Sequence, residues 1–180
     1  MKKRGKENSN KSHEEIPLIL NSYDDLFSNF DPRPYSHRAL SKDFLLECQK
    51  ASEDKKDDIE LKFILDKNKR KIKEEEMISK RLKEHFKKHF LEKKHELLRL
   101  RLIGVFWFLV GCLLTAITAI LMEKDVSLSV NVMINLAHPA GWFFLWEGMA
   151  KILIHSKEKM DDYNFNRKLN HAKISFLSKK

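Results

Sequence analysis

Three Arg–His pairs share the spacing R-x3-H: Arg33/His37, Arg81/His85 and Arg167/His171. An arginine beside a histidine can polarise a phosphate while the imidazole shuttles a proton, the chemistry of RNA cleavage. With eight His and 35 Lys plus Arg in 180 residues, such pairs also arise by chance, so catalysis is the minor reading. His85 and His89 stand one helical turn apart, a step that can hold zinc, but no third and fourth ligands suggest themselves. A basic, solvated face is the expected role for that stretch. Phosphate-cradling loops and nucleophile elbows need glycine, and the chain has five. No catalytic residue, metal or cofactor is expected.

A second set of polar residues lies in an apolar setting. Asn131, Asn135 and His138 are spaced i, i+4, i+7 and so share one helical face, and Pro139 frees the carbonyl of Asn135 nearby. Polar groups in hydrocarbon must find partners or water. Such a stripe suits either a water-filled lumen lined by several copies or hydrogen bonding between two helices of a compact hairpin. Gly111, Thr115, Thr118 and Ala119 offer small residues for close helix approach. Glu147 and Lys151, four apart, fit a helix-surface ion pair.

The elements that carry these residues follow from the distribution of charge. Residues 102–146 hold three charged side chains, Glu123, Lys124 and Asp125, while the other 58 of 61 fall outside them. Hydrocarbon imposes such a partition, because a charge at the bilayer centre costs several kcal/mol, roughly 2.5–3.5 at least. Residues 102–122 form a charge-free run long enough to cross roughly 30 Å at about 1.5 Å per residue. Residues 126–147 form a second span broken by more polar groups, and 123–125 an external turn. Fourteen Lys and Arg precede the first span between Lys67 and Arg101, and eight follow between Lys151 and Lys180. Positive residues stay inside, so both termini are expected in the cytoplasm. Trp107, Trp142 and Trp146 all fall toward that inner interface.

Outside the spans the expected fold is mainly α with a small α+β cytoplasmic body containing two short strands. Residues 1–16 are polar and expected disordered. Residues 17–101 make the body and a basic juxtamembrane helix, and 148–180 a C-terminal helix and strand. Asp31-Pro32-Arg33-Pro34 is a turn, Ser41 an N-cap, and Phe44, Leu45 and Cys48 one helix face. Residues 59–65 (IELKFIL) and 171–177 (HAKISFL) alternate apolar with polar, a strand signal, and are expected to pair. Ile78, Leu82, Phe86 and Phe90 put an apolar stripe on a helix running from about residue 74 to 122. That stripe is expected to need a partner copy. Cys48 and Cys112 are expected to be free thiols. The basic stretch favours anionic lipids over direct RNA binding, because interleaved glutamates mute a phosphate-tracking surface.

The segment from Ser22 through Tyr23, Asp24, Asp25, Leu26 and Phe27 to Asp31-Pro-Arg-Pro-Tyr-Ser-His-Arg-Ala-Leu-Ser-Lys-Asp-Phe-Leu45 precedes a strand, a basic helix and a two-span hairpin. This plan resembles the small accessory membrane-pore proteins of type VI-B CRISPR systems (the Csx-type accessory), encoded beside an RNA-guided RNase. The resemblance implies a homo-oligomeric inner-membrane pore, of six or more copies, that strengthens antiphage defence when the RNase senses phage RNA. The family has a divergent R-x4–6-H motif, and Arg167/His171 falls one residue short of it, which sets nuclease chemistry in doubt. The alternative is a membrane-anchored adaptor that recruits a cytoplasmic partner or RNA without forming a pore.

Overall fold

The computed structural model describes residues 14–55 and 58–179. It is mostly helical, with one long apolar helix and a small three-stranded sheet. The chain divides into two compact units, Met1–His89 with Phe165–Lys180, and Phe90–Asn164. Residues 1–13 of the segment expected to be disordered lie outside the described residues. The last three of it, Glu14 to Ile16, do not fit that expectation, because they open a strand.

In the first unit the strands are β1 (Glu14–Ile19), β2 (Ile59–Leu65) and β3 (Lys173–Ser178), in the order β1-β2-β3 and parallel throughout. The expected pairing of the 59–65 and 171–177 segments is present, Glu60 opposite Lys173 through Leu65 opposite Ser178. β1 was hidden by Pro17, which usually argues against a strand. Leu20 donates its N–H to the Ile64 carbonyl at 2.9 Å and Glu14 to that of Asp58 at 2.9 Å. Even-numbered residues therefore face β2, and Pro17, which has no N–H to give, faces the free edge.

Helix α1 (Lys42–Ser52), with Ser41 at its N-cap position, connects β1 to β2. Helix α2 (Ile72–Met122) leaves β2, and helix α5 (Met160–His171) returns to β3. Two right-handed crossovers that step the same way across a sheet put their helices on the same face. Burial agrees: Ile59, Leu61, Phe63 and Leu65 of β2 are each 0% exposed, packed with Phe44 and Cys48 of α1, Ile78, Leu82 and Phe86 of α2, and Leu169 of α5. Each such side chain contributes about 1.5–3 kcal/mol by leaving water. The opposite face carries Glu15, Glu60, Lys62 and Lys173, with ion pairs from Lys62 to Glu15 and from Lys173 to Glu60 at 3.5 Å.

The apolar stripe of α2 corrects one expectation. Ile78, Leu82 and Phe86 fill the core of the first unit, so that part of the helix needs no partner copy. In the second unit Phe90 packs on Tyr163 with ring centroids 5.7 Å apart, and Leu97 is buried. The chain satisfies its own stripe. Both cysteines are free, Cys48 buried and Cys112 exposed, and burial pushes the Cys48 thiol up to about 12.

The second unit takes in α2 from Phe90 onward, a connection at 123–127, and helix α3 (Leu128–Ala150). A π-helical turn, Lys151–His155, and the short α4 (Ser156–Glu158) continue α3 toward α5. Ser156, buried, donates its hydroxyl to the Lys151 carbonyl at 2.9 Å and so fills the gap a wider turn leaves. Lys93 bonds Asp162 at 3.2 Å and Lys159 bonds Glu96 at 3.0 Å, tying α2 to the segment around α4 and α5.

Candidate functional site

By length and composition α2 is the one helix, among the described residues, able to cross a membrane. Its most apolar stretch has a mean hydropathy of 2.4 and is 11% buried. The second helix falls short of that measure because Asn131, Asn135, His138 and Pro139 dilute its apolar run. It nevertheless packs against α2 as an antiparallel hairpin, and glycine explains how. Gly104 and Gly111 stand seven apart on α2, Gly141 and Gly148 seven apart on α3, and the two pairs oppose each other across the seam. A Cβ at Gly111 would lie 2.4 Å from the Leu145 backbone nitrogen, and one at Gly148 the same distance from that of Phe108. The helices therefore touch backbone to backbone. Seven residues are two turns of a helix pair, so each glycine returns to the same seam.

Thr115 and Thr118 continue the α2 side of this seam. Thr115 donates to the Gly111 carbonyl at 2.8 Å. Thr118, 2% exposed, donates to the carbonyls of Leu114 and Thr115 at 3.0 Å. Its oxygen also lies 3.1 Å from His138 Nδ1. With the hydroxyl proton given to a carbonyl, this last contact requires Nδ1–H on the imidazole as donor. Ala119 is exposed and lies off the seam.

The expected polar stripe thus splits. His138 is half-buried and bonds across the hairpin, which is the interhelical role. Asn131 and Asn135 are exposed on the outside of it. Asn135 donates its amide to the carbonyl of Asn131 at 2.9 Å and to its side-chain oxygen at 3.1 Å. The remaining amide atoms of the pair, Nδ2 of Asn131 and Oδ1 of Asn135, make no hydrogen bond among the described residues. Leu128, one turn before Asn131, and Leu136, next to Asn135 in the chain, are exposed as well.

Trp107 stacks on Phe144 across the seam, centroids 4.9 Å apart and planes 21° from parallel, while Trp142 and Trp146 are exposed. Glu147 and Lys151 form the expected i, i+4 ion pair. Arg33 grips Asp31 with two bonds of 2.9 and 2.8 Å, holding that carboxyl well below the usual carboxylate range, and Arg81 donates to the Arg38 carbonyl at 3.2 Å. His171 Nδ1 lies 2.8 Å from the Arg167 carbonyl, a bond within its own helix. His85 and His89 are in ring contact, centroids 4.3 Å apart and planes tilted by 48°. Burial, then the charges of His89, Arg81 and Lys88, lower His85 to about 4. No group of three or more His, Cys, Asp or Glu able to hold a metal comes together among the described residues.

Sequence reasoning missed two features. Gly104, Gly141 and Gly148 carry the hairpin seam beside Gly111, and their heptad spacing was the available signal. In the first unit Glu75, 7% exposed, is gripped at 2.8 Å by both ends of the Arg70 guanidinium and accepts from the Tyr23 hydroxyl at 2.9 Å. The Arg70 bonds hold the Glu75 carboxyl below its ordinary value, and burial raises that of Tyr23. Comparison with protein-family models, curated proteins and solved structures finds no match.

Proposed function

We propose that this chain is a two-span protein of the bacterial inner membrane, both termini cytoplasmic, whose copies assemble around a polar path. The observation that carries this reading is the Asn131–Asn135 pair. Two amides stand on the outer surface of an apolar hairpin, next to Leu128 at 80% exposure and Leu136 at 72%. In hydrocarbon an unpaired amide costs several kcal/mol, roughly 4–8 against cyclohexane. The same amides facing water in a lumen, or an identical face on another copy, cost nothing of that kind. A hairpin with both faces apolar would need no such companion.

Together with the resemblance noted above, this supports an oligomeric pore that permeabilises or depolarises the membrane as an accessory of RNA-targeting antiphage defence. Its functional partner is an RNA-guided RNase, and anionic lipids surround it. Reconstituted in vesicles, the wild-type chain passes ions, and Asn131→Leu with Asn135→Leu abolishes the flux. Unchanged flux in that double variant removes the pair from the path. A second reading, the membrane-anchored adaptor, draws on the charged sheet face with Glu15, Glu60, Lys62 and Lys173, opposite the face that carries the helices. Exchanging the hairpin for an unrelated two-span anchor separates them: retained function supports the adaptor.

A further inference from the structure

Within the second unit, a groove of about 410 Å³ is lined by His95, Glu96, Arg99, Leu100 and Ile103 of α2 and by Lys159. Its chemistry changes along its length. Leu100 and Ile103 are apolar, and Ile103 lies in the charge-free run that begins at Leu102. Arg99, His95 and Lys159 supply N–H donors at the other end. Glu96 is already occupied, accepting from Lys93 at 3.3 Å and Lys159 at 3.0 Å. Arg99, exposed, makes no ion pair among the described residues, so its charge is free for a ligand.

The geometry points to a specific site for one anionic phospholipid: Arg99 takes the phosphate, Lys159 and His95 flank the headgroup on its cytoplasmic side, and an acyl chain lies along Leu100 and Ile103. This rests on the membrane reading proposed above and adds a defined ligand to it. Depth supports the assignment. Arg99 is three residues outside Leu102, about 4.5 Å along the helix at 1.5 Å per residue. The headgroup layer occupies roughly 5–7 Å on each side of a 30 Å hydrocarbon core. The guanidinium therefore stands at phosphate level while Ile103 stands among the first methylenes. A planar, permanently charged fork suits a phosphodiester better than an ammonium does. A free phosphate ion would use only the polar end of the groove.

The test uses the full chain purified in mild detergent and offered equimolar phosphatidylglycerol and phosphatidylcholine, with lipids bound per copy counted by native mass spectrometry. Phosphatidylglycerol is retained in preference. Arg99→Gln, an exposed substitution with no internal partner to lose, weakens that retention about five-fold, the value of one juxtamembrane cation, and leaves phosphatidylcholine unchanged. Lys94→Gln, on the same helix and outside the groove, changes neither. Excess inorganic phosphate does not strip the bound lipid. Equal retention of both lipids, an Arg99→Gln protein indistinguishable from wild type, or displacement by inorganic phosphate each overturns the lipid site while leaving the membrane reading intact. A chain that keeps no lipid at all and stays soluble without detergent overturns both.

Discussion

Replacing the seam glycines one at a time by alanine separates backbone contact from helix propensity. A Cβ at Gly148 meets the Phe108 nitrogen at 2.4 Å, the Gly104 carbonyl oxygen at 2.7 Å and the Phe108 Cα at 2.8 Å. All three are backbone atoms, and ordinary contact begins near 3.4 Å, so the helices must part by about 1 Å (3.4 − 2.4). Gly111 is in the same position, with Leu145 nitrogen at 2.4 Å and Gly141 oxygen at 2.9 Å. Gly104 differs. Its closest neighbour, at 2.8 Å, is the Ile152 Cγ1, which can rotate away, and the fixed atoms, the Gly148 carbonyl oxygen and the Lys151 Cβ, are at 3.0 Å, so they need give only about 0.4 Å (3.4 − 3.0). Overpacking costs typically 1–3 kcal/mol, whereas alanine gains about 1 kcal/mol over glycine in a helix interior. Gly111→Ala and Gly148→Ala should therefore destabilise the hairpin by up to about 2 kcal/mol net, and Gly104→Ala should be neutral or stabilising by up to about 1 kcal/mol. Unfolding in detergent, followed by the fluorescence of Trp107 in a Trp142→Phe, Trp146→Phe background, reads the seam directly because that indole stacks across it on Phe144. Equal effects at all three glycines, or stabilisation at Gly148, would refute the backbone-contact argument.

Thr118→Val leaves the Nδ1–H of His138 without its partner and should cost about 0.6 kcal/mol, at most about 1.7, in the same unfolding assay. Glu75→Gln removes the charge held by Arg70 and should lower stability by about 1–3 kcal/mol, read as a shift in the denaturant midpoint of far-UV circular dichroism. His85 is held neutral in the folded chain, so the unfolded chain binds a proton first as pH falls. Stability on its account is complete above about pH 6.5 and declines toward pH 4. Because the ring is only half-buried, the loss is set at about 1–2 kcal/mol rather than the full shift, and His85→Gln should flatten that part of the pH profile in denaturant titrations at pH 7 and pH 4.5.

How much of this was legible depended on whether the signal was local. The alternation of IELKFIL placed β2 to the residue, and its inward set, Ile59, Leu61, Phe63 and Leu65, is the buried set. β3 was legible from the same alternation, although its expected start at His171 was two residues early, because α5 runs to His171 and the strand begins at Lys173. β1 was not, because Pro17 and the charged residues before it describe an edge strand as readily as a loop. The period-four stripe of α2 was read correctly as apolar, but its partner, the chain's own sheet, is supplied from residues far away in sequence. The same distance hid Tyr23–Glu75, which joins residues 52 apart. In the hairpin, Gly111, Thr115 and Thr118 were found by type. The i, i+4, i+7 spacing of Asn131, Asn135 and His138 was read as one face, yet it does not say which edge of that face meets the other helix. His138 falls on the seam side and the asparagines on the outer side.

Assembly around the asparagine face is the central claim, and the mass of the purified, detergent-solubilised chain tests it most directly once bound detergent is subtracted. The account predicts one defined ring-sized species of six or more copies, which Asn131→Leu with Asn135→Leu disperses. A monomer or dimer would contradict it, since two to four spans are too few to enclose a water-filled path.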